Sequence, residues 1–228
     1  MSKNKIYTLI IFIITICTFS IINIKAKELP LDNKIIYIDP GHGGIDPGSI
    51  YKNIYEKDIN LEICLKLKNN LEKQGATVYL TRDGDYDLST PNTSTRKKSD
   101  LNNRVRLIND SNANMYISIH LNATNSKTWK GAQVFYDDVN QENIKIAKII
   151  QTEFKKNTNT NREISEITNM LLNRKVTIPG VLIEVGFLSN DNERYLLKQD
   201  SYQEKITNII INGIINYYKN KSNSWLFF

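Results

Sequence analysis

Residues 34–48 read KIIYIDPGHGGIDPG, and this stretch decides the fold. KIIYID is a short apolar run of the kind that fills a strand buried on both faces, and Pro40-Gly41 ends it. The loop from Asp39 to Gly48 holds four glycines and two prolines, and it carries His42, one of two histidines in 228 residues. A strand running into a glycine loop and then a helix opens an α/β unit, whose functional groups gather where the strands end.

Working outward, Ile59, Ile63, Leu67 and Leu71 recur every four residues between Glu56 and Gln74, an amphipathic helix closed by Gly75. ATVYLT (76–81) is the next strand, and the polar stretch DGDYDLSTPNTSTRKKS (83–99) reads as a long exposed loop. A helix from about Asp100 to Asn109 leads into the strand MYISIHL (115–121), followed by the strand AQVFYD (132–137). A helical pattern from Gln141 to Lys156, the buried strand VLIEVGF (181–187) and a helix from Tyr202 to Tyr218 complete the order. Strands alternating with helices predict a single α/β domain with a mostly parallel sheet covered on both faces. At 40% apolar composition the chain can bury one such core.

The first 26 residues stand apart: two lysines, an apolar run from Ile6 to Ile24, then Lys25-Ala26. This reads as a signal peptide or an uncleaved N-terminal membrane anchor, so the protein is expected outside the cytoplasm. The expected catalytic domain covers 34–220, and 221–228 forms a C-terminal tail whose Trp225-Leu226-Phe227-Phe228 either folds back or docks a partner. Cys17 lies in the leader, so Cys64 has no disulfide partner after it and reads as a core residue on the helical stripe. Removing Lys3, Lys5 and Lys25 takes the net charge from +6 to +3, suited to an anionic cell surface. No basic and aromatic patterning suggests nucleic acid.

Both histidines sit at strand ends, His42 after KIIYID and His120 at the end of MYISI, so a parallel sheet brings them to one edge. Either alone reads as a loop residue; the two together, beside glycines, point to zinc. A catalytic zinc commonly takes three protein ligands, two histidines and a glutamate being one set, and leaves a place for water. Glu56 opens the helix after the glycine loop and is the candidate third ligand, although a carboxylate there also suits the helix dipole. Glu62 is the weaker candidate. Glu184 interrupts VLIEVGF, and a carboxylate in a buried strand needs a cation, either an arginine or a metal site. Beside a metal it suits a general base. Residues 41–46, GHGGID, fit neither a dinucleotide nor a phosphate loop, and no serine elbow is present.

IDPGHGGIDPG with His42, the E-K-D at Glu56, SIHLNA with His120 and PGVLIEVGFLSN with Glu184 together resemble the zinc-dependent N-acetylmuramoyl-L-alanine amidases of the Amidase_3 family, over about residues 34–218. The resemblance implies a six-stranded α/β fold, one zinc per chain held by His42, Glu56 and His120, and Glu184 as the catalytic carboxylate. RKKSDLNNRVRLIN (96–109), WKGAQVFY (129–136), NTNRE (159–163) and NERYLL (192–197) resemble the spore-cortex type of the family. That type implies removal of stem peptides so that muramic-δ-lactam can form before germination. SNDN (189–192) lacks the proline often found after SN.

Arg104 is expected to line the site or to form a surface ion pair, and Asn122 to line the site or cap a turn. The expected substrate is peptidoglycan, with an activating protein as a possible partner and the membrane involved only through the N-terminal segment. The rival readings are a zinc peptidase cutting within the stem peptide and a wall-binding regulator without turnover.

Overall fold

The computed structural model describes residues 3–8, 12 and 28–224. Most of the expected leader and the Trp225–Phe228 tail lie outside the described residues. Among the described residues no helix is long and apolar enough to cross a membrane.

Eight strands and six helices alternate in the order β1 (Ile35–Pro40), β2 (Ile50–Tyr51), β3 (Ile54–Tyr55), α1 (Glu56–Glu72), β4 (Thr77–Leu80), α2 (Arg96–Asn109), β5 (Met115–Asn122) and β6 (Gln133–Tyr136) among the described residues from Leu29 on. They continue with α3 (Glu142–Asn157), β7 (Ser165–Glu166), α4 (Leu171–Lys175), β8 (Gly180–Phe187), α5 (Asp191–Leu197) and α6 (Asp200–Ser224). The six-stranded sheet has the order β4-β1-β5-β8-β6-β7, and β2 pairs with β3 as a separate hairpin. Strands β4, β1, β5 and β8 are mutually parallel, as the alternating pattern predicts.

Strand β6 runs antiparallel to β8. The reason lies in the connection: residues 123–132 between β5 and β6 contain no helix. Without a crossover the chain cannot return to the far edge to start a parallel strand. Consequently β6 begins at the carboxyl edge, and Gln133 stands opposite Glu184.

The sheet is covered on both faces. Ile59, Ile63, Leu67 and Leu71 of α1 enter the larger core with Ile146, Ile150 and Phe154 of α3 and Ile206, Ile210 and Ile214 of α6. Cys64 is buried among them, as its place on the stripe predicts. On the other face Val105 and Ile108 of α2 and Leu172 of α4 pack on Tyr37 and Tyr116. Because side chains alternate along a strand, Ile117, Ile119 and Leu121 of β5 join the larger core. Ser118, His120 and Asn122 face the other way, toward α2, and line a cavity there.

Two sequence expectations change. Helix α2 begins at Arg96, four residues before the expected start, because its first turn is polar and adds no apolar signal. The preceding loop accordingly ends at Thr95 and not at Ser99; its residues 83–95 are exposed or half-buried as expected, and it is tethered where Leu88 N–H donates to Asp100 Oδ1 at 2.7 Å and Asp87 pairs with Arg96 at 2.7 Å.

Candidate metal centre and catalytic carboxylate

A cavity of about 650 Å³ opens at the carboxyl ends of β1, β5 and β8, and His42, Glu56, His120, Glu184, Arg104 and Asn122 all border it. Every residue singled out from the sequence for a site therefore reaches one place, except Glu62, which accepts a hydrogen bond from Gln203 at 2.7 Å on the side of α6.

His42, Glu56 and His120 each present one ligand atom, all within 4.8 Å of one another. Glu56 Oε1 stands 3.2 Å from His42 Nε2 and 3.0 Å from His120 Nδ1. Ligands at about 2.0–2.1 Å from a tetrahedral zinc lie roughly 3.4 Å apart, so the donor set and its spacing fit such an ion. Glu56 is 3% exposed. Burial alone would raise its pKa, but hydrogen bonds with the two imidazoles outweigh that and hold the carboxyl well below the usual range. Its Oε1 also accepts from Leu121 N–H at 3.0 Å, and its Oε2 accepts from Ser49 N–H at 2.9 Å. A register shift between His120 and Asn122 releases that Leu121 N–H from the ladder.

His42 lies in the left-handed backbone region, with φ of 63°. Its Nδ1 meets Asp46 Oδ2 at 3.0 Å, which orients the ring and turns Nε2 toward Glu56. Burial disfavours the imidazolium, yet Glu56 and Asp46 outweigh it and raise the His42 pKa. Three successive carbonyls of this loop are held by two arginines: Arg82 donates to Pro40 O at 3.0 Å and Gly41 O at 2.9 Å, and Arg104 donates to Pro40 O at 2.8 Å and His42 O at 2.6 Å. Arg104 also pairs with Asp39 at 2.8 Å and Asp100 at 2.9 Å. At 1% exposure it is not a surface ion pair; it borders the cavity while its donors are engaged by protein acceptors. Asn122 lines the cavity, and its carbonyl accepts from Leu188 N–H at 2.8 Å.

Two glycines make room for the imidazoles. A Cβ on Gly41 would lie 2.2 Å from His120 Cε1, and one on Gly48, whose φ is 66°, would lie 2.7 Å from both Glu56 Oε2 and His42 Cδ2. Gly41→Ala is expected to tilt His120 and weaken metal binding at least about tenfold, the usual scale for disturbing a ligand's support. Competition with a chromogenic chelator measures it; parental affinity would show that the ring needs no such clearance.

Glu184 is the in-register neighbour of His120 across β5 and β8. Among the described residues its buried Oε2 has no hydrogen-bond partner and no arginine forms a salt bridge with it. Burial first, and then the Glu56 charge, push its pKa up to about 7 against the opposing pull of the histidines. A carboxyl in this state, next to a three-ligand set, can exchange a proton near neutral pH.

Asp39, Asp46, Arg82 and Asn60, whose Nδ2 donates to Gly41 O and Glu56 Oε1 at 3.3 Å each, were not identified from the sequence. Asp46 carried a usable signal, four residues after His42 within the same glycine loop; Arg82 carried none, since its partners are backbone carbonyls 41 and 42 positions away.

Comparison with known proteins agrees with this geometry. Residues 36–216 match the N-acetylmuramoyl-L-alanine amidase family, Amidase_3. The germination-specific N-acetylmuramoyl-L-alanine amidase of Bacillus subtilis is 48% identical over 201 residues, covering 86% of this chain and 85% of that protein. The CwlD amidase of Clostridioides difficile, solved in complex with the GerS lipoprotein, superposes with a TM-score of 0.78 at 45% identity, covering 82% of this chain and 99% of that one. The catalytic domain of CwlV, an amidase of Paenibacillus polymyxa, superposes with a TM-score of 0.72 at 31% identity, covering 82% of this chain and 98% of that one. With its fold, its His-Glu-His cluster and these relatives in agreement, the chain belongs to the family of N-acetylmuramoyl-L-alanine amidases.

Proposed function

We propose that the protein hydrolyses the amide between the lactyl group of N-acetylmuramic acid and L-alanine with one zinc ion held by His42, Glu56 and His120. The observation that carries this reading is the unpartnered Glu184 carboxylate oxygen beside a three-ligand cluster. A bound zinc supplies a Lewis acid that polarises the scissile carbonyl and acidifies water. Glu184 accepts the proton of the attacking water and returns it to the departing L-alanine nitrogen. Glu56 and Asp46 keep His42 oriented, and Arg82 and Arg104 keep its loop in place. Asn169–Asn173 form the cavity wall on the α4 side.

The likeness to a germination-specific relative supports a biological role in the spore. Removal of stem peptides from cortex muramic acid, leading to muramic-δ-lactam, is the form of that role we infer, with export through the N-terminal segment. The structure of the C. difficile relative in complex with a lipoprotein supports a protein partner here as well, and we infer that such a partner activates the enzyme. A peptidase acting within the stem would share the metal centre; family membership and the likeness to amidases favour the muramoyl amide.

Metal analysis tests the ligand set. Elemental analysis of the chain saturated with zinc and desalted is expected to give about one zinc per chain, and His42→Ala to reduce it several-fold. Undiminished zinc in His42→Ala would contradict the assignment.

A further inference from the structure

We propose that the exposed ring of Trp129 is a stacking platform for a pyranose of the glycan strand, placing the sugar chain over β6 and the stem peptide on the opposite flank of the cavity. This inference rests on the substrate assigned above. His120, Glu184 and Gln133 stand side by side across β5, β8 and β6, and their side chains share one face of the sheet. Gln133 Oε1 accepts from Arg162 Nη1 at 2.9 Å, and Arg162 Nε donates to Lys130 O at 2.8 Å. So anchored, the guanidinium lies between two rings, 4.6 Å from the Phe187 centroid and 4.9 Å from that of Trp129. The cation fixes the indole from one side, yet Trp129 remains 54% exposed.

The steps from Glu184 to Gln133, Arg162 and Trp129 cover roughly 10–15 Å, taking strands as about 4.8 Å apart. A polymer attached at the scissile lactyl group must pass within such a distance. The two flanks differ in chemistry. Toward α2 the cavity carries Lys97, whose Nζ stands 3.5 Å from Asp46, a cation placed for an acidic stem peptide. Toward β6 the surface offers a fixed aromatic ring, which suits the apolar face of a sugar; the Gln133 amide, bonded to Arg162 and to Glu163 O, holds that arrangement in place. Three of the segments singled out in the sequence, WKGAQVFY, NTNRE and VLIEVGF, meet in this arrangement although 58 positions separate Trp129 from Phe187.

The test uses a Trp225→Phe chain, in which Trp129 is the remaining tryptophan. Stem-free oligosaccharides of alternating N-acetylglucosamine and N-acetylmuramic acid are titrated against its emission, and no turnover is possible. A saturable change, weakened about tenfold by Arg162→Ala, is expected. On intact strands versus a single muramoyl peptide, Trp129→Ala is expected to lower the preference in kcat/KM for the long substrate by about tenfold, with Trp129→Phe recovering most of it; tenfold is the scale of one good contact. Oligosaccharide binding that calorimetry finds equal in the parent and Trp129→Ala, or a loss shared equally by both substrates, would overturn the platform. Binding without cleavage of the muramoyl amide would uphold the platform and reject the substrate assignment instead.

Discussion

Glu184→Gln is expected to slow release of L-alanine amino termini from peptidoglycan by about 10²–10⁴-fold, the range for removing a positioned general base, with zinc content and thermal midpoint close to those of the parent. The structure separates the two effects. Glu184 Oε2 has no hydrogen-bond partner, so the fold does not depend on its charge, and glutamine has the same shape. What glutamine lacks is a site for the proton of water. Burial holds the Glu184 carboxyl at about 7, and the base form declines as pH falls below that value. A dication bound by the neighbouring ligands lowers that value, so the parental rate is expected to drop on the acid side with a midpoint below 7, by as much as about tenfold per pH unit once the acid form predominates. Rates within a few-fold of the parent for Glu184→Gln would remove it from the chemistry. A large loss of stability would instead make it a structural residue.

Arg104→Ala is expected to destabilise the protein by about 3–5 kcal/mol, the usual result of removing one partner from a buried ion pair. The substitution leaves Asp39, 1% exposed, without its cation and leaves His42 O without a donor from this side chain. Burial would raise the Asp39 pKa, but Arg104 and hydrogen bonds from Thr81 and Ser118 lower it from 3.8 to about 2. Since the folded value is depressed, this stabilisation is full above the unfolded pKa and is lost as pH falls from about 4 toward 2. Its size is on the order of 2 kcal/mol. In Arg104→Ala the loss is already present at neutral pH, so stability should vary less between pH 4 and 2 than in the parent. Urea midpoints across that range measure both effects. A change below about 1 kcal/mol would show that Arg82 alone secures the loop.

The sheet was legible because its central strands are largely apolar runs; of the four candidate site residues His42, His120 and Glu184 were legible because each stands out from its surroundings, and Glu56 because of its place just after the glycine loop. His42 stands on a loop with little to pack against, Glu56 opens a helix, His120 ends a buried strand, and Glu184 interrupts one. What stayed hidden depends on partners distant in sequence or on turns without glycine. The hairpin at 50–55 repeats Ile-Tyr around Lys52-Asn53, both with positive φ, a two-residue turn that Asn favours and Lys obscures. The antiparallel β6 came from the missing crossover helix, which an apolar pattern alone does not reveal. Arg104 was read as a surface or site residue because its acceptors are the carbonyls of residues more than 60 positions earlier, and only folding brings them near.

The most direct test of the account is mass spectrometry of peptidoglycan after digestion by the zinc-loaded protein, with Glu184→Gln as control and the lipoprotein partner of the C. difficile relative added in a parallel sample. Free stem peptides beginning with L-alanine, together with glycan strands bearing unsubstituted lactyl groups, are the result this account expects. Stems shortened but still attached to muramic acid would contradict it.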